Sequence, residues 1–516
     1  MIVHGAAVAR GGSFGAPRRS PQVSACAVLL LILGVDANPR LATEPQTEMR
    51  PSAPFRPNVV MIVVDDMRFD EFGAGGHPYL ETPSIDRLAA EGALFTRAWH
   101  VTPLCSPNRA SLLTGQYVSR HGILDNSSRS LASHRLALFP QLLQAAGYRT
   151  AHIGKWHMGN DPTPRPGYDY WVSFAGQGRT NDPELYENGR SAVVPGYVTD
   201  IFVDRAIDFI GAADERPFFV YIGHKAIHPE AVQRDDGSLD RDVPMTFLPA
   251  ARHLGRYETD VLARAPTYGL TEATRRSKPV LARALDLREE VVAADPSWES
   301  IIDRGIAEET VRRRAEMMLA VDEGVGRILA ALERRGVLDS TLVVVTSDNG
   351  YFYGEHGLTV ERRLPYEEAL RAPLVIRYPP LVAAGSRPAA LTLSVDVAPT
   401  ILDIAGVEIP RHVQGESLVP VLRGDTAAVR EVACMEYYSH ENPMPWTVDL
   451  DYRVVRRGRF KYIRWLRFDD AEELYDLEAD PWERRNLAGD PALGRVLADL
   501  RAELRTCVLR ALGFLG

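Results

Sequence analysis

Four apolar stretches of the sequence are each followed, within a few residues, by side chains able to hold a metal or move a proton. Asn58–Val64 runs into Asp65 and Asp66, and Tyr148–Gly154 into Lys155 and His157. Phe218–Gly223 leads to His224, Lys225 and His228, and Leu342–Thr346 to Asp348 and Asn349. Any one group reads equally well as a helix cap or a solvated loop; recurrence at four ends argues for a shared site. Asp65, Asp66, Asp348 and Asn349 offer three carboxylates and one amide oxygen, a hard set suited to calcium, or to magnesium, more than to zinc. Crowding these carboxylates without a cation would raise their pKa values and destabilise the fold, so a bound divalent ion is expected. The segment Cys105–Gly115 adds a nucleophile. Pro107 is placed to open a helix, which sets Cys105 beside a positive helix terminus with Arg109 one turn on. Cys105 alone reads equally as a half-buried cysteine at an ordinary helix start; with its neighbours, a modified cysteine becomes the better account.

Elements that put strand ends together are those of an open parallel sheet, whose ligands sit at the carboxyl ends of its strands. Asn58–Val64 is continuously apolar and β-branched, as a central parallel strand covered on both faces must be. Thr82 and Pro83 place a capping hydroxyl and a proline at a helix start, and Gly92 closes that helix. The alternation repeats with a helix over Phe139–Ala146, the strand at Tyr148–Gly154, and a long amphipathic helix through Met317, Leu319, Val325 and Leu329 before Leu342–Thr346. The expected fold is α/β, a large doubly wound, mostly parallel sheet. From Val432 the pattern changes to the alternation of half-exposed antiparallel strands at Tyr452 and Phe460, followed by a helix over Leu493–Leu512. A smaller C-terminal α+β subdomain containing an antiparallel sheet is therefore expected. Residues 231–300 show no clear period and are expected to form loops over one face of the sheet.

The expected organisation is a signal peptide at 1–37, a proline-rich linker at 38–57, a catalytic domain at 58–431 and the C-terminal subdomain at 432–516. Arg18 and Arg19 precede the apolar run Ala25–Val35, which is followed by small residues up to Ala37. That run is well short of the roughly twenty residues that span a bilayer, so export to the periplasm or medium is expected, with no stable membrane anchor. The net charge of −9 over 516 residues gives no basic footprint for nucleic acid. Of four cysteines, Cys26 falls in the leader; Cys434 and Cys507 are free to pair, but nothing in the sequence fixes their distance.

The stretch Cys105-Ser-Pro-Asn-Arg109 resembles the Cys-x-Pro-x-Arg signature of the type I sulfatases of the alkaline phosphatase superfamily, in which a maturation enzyme oxidises the cysteine to formylglycine. The likeness continues through Ala110–Gly115, Val64–Asp66, Gly154–His157, Ser347–Gly350, Gly354–Gly357 and Tyr366–Glu368, and it reappears at Leu474–Pro481. It implies an alkaline phosphatase-like sheet and hydrolysis of sulfate esters. The hydrated aldehyde at Cys105, held on the cation by Asp65, Asp66, Asp348 and Asn349, attacks sulfur, and its second hydroxyl allows sulfate to be expelled. By the same resemblance His157 assists that expulsion, Arg109 and Lys155 hold sulfate and diol, and His228 protonates the leaving alcohol. Many members carry a lysine where Arg362 stands. Arginine keeps the charge but does not readily give up a proton, so Arg362 is assigned to sulfate binding. Glu355 and His356 are candidates for the mouth of the pocket, and His224 and Lys225 for weaker substrate contacts. The segments Arg165–Trp171, Gly196–Asp200 and His224–His228 resemble bacterial sulfatases of sulfated sugars, including hexosamine 6-sulfates. Two alternatives stay open: a phosphomonoester or phosphonate-ester hydrolase on the same scaffold, and a non-catalytic carbohydrate-binding relative.

Overall fold

A computed structural model describes residues 56–514, apart from 244, 270, 300–301, 303–306, 440–443 and 469–470. The leader at 1–37 and the linker up to residue 55 lie outside the described residues. Asn58–Val64 is a strand buried from Val59 onward, paired in parallel with Phe218–Gly223 on one side and Thr341–Ser347 on the other. Arg149–Gly154 pairs in parallel with Phe218–Gly223, and Tyr170–Ser173 with Arg149–Gly154. Antiparallel strands close both edges of this nine-stranded sheet: Leu374–Arg377 and Ala93–Leu94 at one end, the hairpin Glu184–Glu187 and Arg190–Val193 at the other.

Side chains along a strand alternate between faces, and Asn58–Val64 feeds two separate cores. Val60, Ile62 and Val64 pack with Phe202, Val203, Met318 and Val325, from the helices Val198–Gly211 and Glu308–Arg334. Val59, Met61 and Val63 pack with Leu112, Leu113, Phe139 and Ile401, from the helices Cys105–Thr114, Phe139–Ala145 and Val397–Ile404. Helices thus cover both faces of a mostly parallel sheet, the doubly wound arrangement expected from the sequence.

A four-stranded antiparallel meander, Val432–Tyr437, Tyr452–Arg457, Phe460–Trp465 and Glu472–Asp476, follows, with the helix Gly494–Ala511 against it. Cys434 on its first strand and Cys507 on that helix form a disulfide. Among the described residues no helix is long and apolar enough to cross a membrane.

Two local expectations are corrected. Thr82 does not cap the helix Pro83–Glu91: its hydroxyl donates to Asp86 Oδ1 at 3.0 Å. The cap comes from Asp322 on the long helix, whose carboxylate accepts the amides of Ser84 at 3.1 Å and Ile85 at 2.8 Å. Nor is 231–300 all loop. It contains the helices Glu272–Ser277 and Pro279–Ala294, and Val280, Leu281 and Leu285 of the second pack into the core of the antiparallel sheet. The same helix also packs Leu287, Val291 and Val292 against a second core, so its apolar residues fall on more than one face, which is why the pattern gave no period.

Candidate active site

The loops that follow the parallel strands are laced to one another by backbone bonds. His224 N donates to Val63 O at 2.9 Å, Asp65 N to Ala226 O at 2.9 Å, and Ile227 N to Asp65 O at 3.0 Å. Asp66 sits in the left-handed region at φ 61°, and His157 at φ 64°, a conformation uncommon for side-chain-bearing residues but one that aspartate and histidine enter more readily than most. Asp348 ties the third strand end in: its Oδ1 accepts Asp66 N at 3.0 Å and its Oδ2 accepts Arg109 Nε at 2.8 Å. The next turn depends on Gly350, because a Cβ there would lie 1.9 Å from Glu368 O, while Gly350 N donates to Ala369 O at 3.0 Å.

Cys105 is the first residue of the helix Cys105–Thr114, two positions ahead of Pro107. Ligand atoms of Asp65, Cys105 and Asp348 all lie within 4.8 Å of one another, and all three side chains are fully enclosed. Asn349 donates from Nδ2 to Asp66 Oδ1 at 2.7 Å. Its own Oδ1 and Asp65 Oδ1 are buried oxygens with no hydrogen-bond partner. Orphaned hard oxygens beside clustered carboxylates are what a calcium- or magnesium-sized cation satisfies, so the residues fit such an ion. Burial foremost, and then the charge of Asp348, raises the pKa of Asp65. Burial likewise raises Asp66, opposed chiefly by Arg362. Burial, with Asp348 and Asp65 behind it, pushes the Cys105 thiol well above its usual range.

Cationic groups ring this cluster. Lys155 Nζ bonds Asp65 Oδ2 and donates to Gln177 Oε1 at 2.7 Å, and Arg362 Nη2 bonds Asp66 Oδ2. Arg109 also donates to Lys155 O at 3.1 Å and lies 3.7 Å from Asp65 Oδ1. His157 Nε2 meets Gln233 Oε1 at 3.3 Å, and His228 Nδ1 meets Pro229 O at 2.8 Å with its Nε2 4.0 Å from Asp66 Oδ2. Burial, then Lys155, holds both imidazoles well below the usual histidine range. Lys225 turns to Pro229 O at 2.9 Å and Glu230 at 3.7 Å, with burial lowering it to about 8. His224 is enclosed, with both ring nitrogens unpartnered. Glu355 pairs with Arg68 at 2.9 Å, and His356 stacks on Tyr366 at 4.2 Å beside Glu368 at 3.5 Å.

Several supporting residues were not singled out from the sequence. Asn108, at the variable position of the cysteine segment, clamps the third strand end: its Nδ2 donates to Asp348 O at 2.7 Å while its Oδ1 accepts Ser394 Oγ at 2.6 Å. Gln177 follows the short strand Tyr170–Ser173 and was open to the same strand-end reasoning. Arg314, buried in the long helix, donates to Asp66 O at 2.8 Å and forks onto Glu71 at 2.8 and 3.1 Å. Arg314→Met strands a buried carboxylate, and we expect it to cost about 3–5 kcal/mol in chemical denaturation. Adding Glu71→Met should recover most of that loss; no recovery would remove the pair from the account.

A sulfatase family model matches residues 57–407, and one for the C-terminal part of N-sulphoglucosamine sulphohydrolase matches 354–509. An N-acetylglucosamine-6-O-sulfatase of Bacteroides thetaiotaomicron is 35% identical over 487 residues, covering 84% of this chain and 83% of that protein. Human N-acetylglucosamine-6-sulfatase is 27% identical over 93% of this chain and 88% of its own. BT4656, solved in complex with its substrate D-glucosamine-2-N,6-O-disulfate, superposes with a TM-score of 0.73 at 33% identity, over 88% of this chain and 98% of that one.

Proposed function

The chain belongs to the sulfatase family and is a sulfuric ester hydrolase, and from that premise we propose that it removes sulfate from sulfated carbohydrates, specifically from the 6-position of a hexosamine. The observation that carries this reading is the enclosed cluster of Asp65, Cys105 and Asp348, with ligand atoms within 4.8 Å of one another and Arg109, Lys155 and Arg362 around it. In this reading Cys105, once converted to formylglycine by a maturation enzyme, would supply a hydrated aldehyde as nucleophile, and Asp65, Asp66, Asp348 and Asn349 would hold a calcium or magnesium ion that would supply Lewis acidity.

The chain's own side chains do the rest. Arg109 and Lys155 fix Asp348 and Asp65 and bring positive charge to the sulfate oxygens, which holds the sulfuryl group in place for attack. Arg362 binds a sulfate oxygen and, as arginine, keeps its proton. With its Nε2–H donating to Gln233, neutral His157 keeps a lone pair on Nδ1, which takes the proton released at position 105. His228, fixed through Nδ1–H to Pro229 O, presents Nε2 4.0 Å from Asp66 Oδ2. Burial favours the neutral ring, so Nε2 must first gain a proton, which the negative charge of a bound sulfate ester favours, before it can pass that proton to the leaving alcohol. The Arg18–Ala37 pattern supports export to the periplasm or the medium, where sulfated glycans are met.

Matured enzyme offered a panel of defined sulfated mono- and disaccharides tests the reading. N-acetylglucosamine 6-sulfate should be cleaved at least about tenfold faster, by kcat/KM, than its 3-sulfate isomer, the margin expected from sulfate positioning alone. Preference for an aryl phosphate or phosphonate ester over every sulfate in the panel would replace it with the phosphoester reading.

A further inference from the structure

A cavity of about 510 Å³ opens between the main α/β region and the C-terminal meander, lined by Phe69, Trp99 and Arg371 from the first, Arg456 on a meander strand and Trp482 in the loop that follows the meander. Its size suits one or two sugar rings. Arg456 is the unusual member. Its side chain is 6% exposed, it lies over the Trp99 ring at 5.5 Å, and its Nε and Nη1 are buried donors with no partner. A guanidinium taken out of water without an acceptor is costly, and an anion in the cavity would supply the acceptor. Glu367 foremost, with Glu483 and Glu478, offsets part of its charge through space, but none of these acids accepts a hydrogen bond from Nε or Nη1. Asp70 is forked by Arg68 at 2.8 and 3.0 Å, and Glu367 accepts from Lys461 Nζ at 3.0 Å and Trp99 Nε1 at 3.2 Å. Arg371, over the Phe69 ring at 3.7 Å, adds a second positive charge to the wall.

We infer that this cavity is a second glycan site, which takes a sugar unit bearing a sulfate or carboxylate, with the anionic group on Arg456 and the ring hydroxyls on the acidic rim. A bare oxyanion would fill a small part of the volume and leave Trp482 and the rim carboxylates unused. Sugars match such a wall because carboxylates accept hydroxyls while aromatic side chains cover their apolar faces. The site also touches the catalytic loop from behind. Glu367 and Glu368 line the cavity, and Glu368 O accepts the amide of Tyr351 at 3.1 Å, two residues after Asn349. The inference rests on the sulfated-glycan reading for the source of the ligand, and on the cavity alone for the existence of the site.

Calorimetric titration of the full Cys105→Ala chain, which cannot consume the ligand, with N-acetylglucosamine 6-sulfate, N-acetylglucosamine and inorganic sulfate tests it. The sulfated sugar should bind at two sites. Adding Arg456→Gln should remove one of them, by a weakening of about thirtyfold or more, and Trp482→Ala should weaken the same one. Should Arg456→Gln fail to fold, the Trp482→Ala arm decides. In the Cys105-containing enzyme, Arg456→Gln should leave turnover of the monosaccharide within about twofold. A single site in the parent, two unchanged sites in both variants, or inorganic sulfate binding at the Arg456 site as tightly as the sulfated sugar would each overturn the inference. Absence of sulfatase turnover with the Arg456-dependent site intact would instead overturn the catalytic reading and leave this one standing.

Discussion

Cys105→Ala is expected to lower kcat/KM on a sulfate ester by on the order of 10⁶-fold, the scale seen when an enzyme loses its nucleophile, while the chain still folds and binds its cation. The cost to stability is small, because the substitution deletes one sulfur from an enclosed position at a helix start, worth about 1 kcal/mol. The four oxygen ligands proposed for the ion are untouched, since Asp65, Asp66, Asp348 and Asn349 are held by bonds to one another, to Lys155 and to Arg109. An unmodified thiol would not rescue the reaction: a sulfur at position 105 that accepted the sulfuryl group would carry no second hydroxyl whose deprotonation could expel sulfate, so turnover would stop there. Peptide mass spectrometry on protein made with and without the maturation enzyme should find the aldehyde only in the active sample. Sulfatase turnover from material carrying only the thiol, or near-full activity in Cys105→Ala, would remove position 105 from its assigned role.

The residues around that position were legible because a parallel sheet puts chemistry in a predictable place. Continuous β-branched runs announce buried strands, and in an open α/β sheet whatever follows them faces a common crevice, so Asp65, Lys155, His228 and Asp348 could be grouped before any distance was known. Arg314, Glu71 and Asp322 could not. Each acts across more than 230 residues of sequence, on Glu71, on Asp66 O or on the amides of Ser84 and Ile85, and local patterns carry no trace of such a partner. The Thr82 cap illustrates the same limit, since a hydroxyl at a helix start matches the capping rule whether or not a distant carboxylate has already taken the amides. Pairing of Cys434 with Cys507 depends on the terminal helix lying along the meander, a packing fact and not a spacing fact. Turnings of side chains were equally out of reach: Glu355 and His356 follow the Asp348 loop in sequence, yet their partners are Arg68 and Tyr366.

Asp348→Ala should reduce kcat/KM by about 10³-fold or more and weaken binding of the divalent ion in direct titration, a larger combined loss than removal of any other single ligand. Asp348 serves three partners at once. It presents an oxygen within 4.8 Å of those of Asp65 and Cys105, accepts the amide that fixes Asp66, and holds Arg109 through Nε. Alanine removes all three, leaving Arg109 buried with Asp65, 3.7 Å away, as its nearest carboxylate. Arg109 would then be drawn onto Asp65 Oδ1, one of the oxygens otherwise free for the ion. Asp348→Asn separates these effects in part, since its single amide oxygen can stand in for Oδ1, accepting from Asp66 N and offering the ion a neutral ligand, while the NH2 in place of Oδ2 loses Arg109. It should bind the ion more weakly than the parent but more tightly than alanine, and regain activity as calcium or magnesium is raised. If both variants bound the ion like the parent and lost activity equally, Asp348 would be a positioning residue for Arg109 alone, and the cage of oxygens proposed around position 105 would have to be redrawn without it.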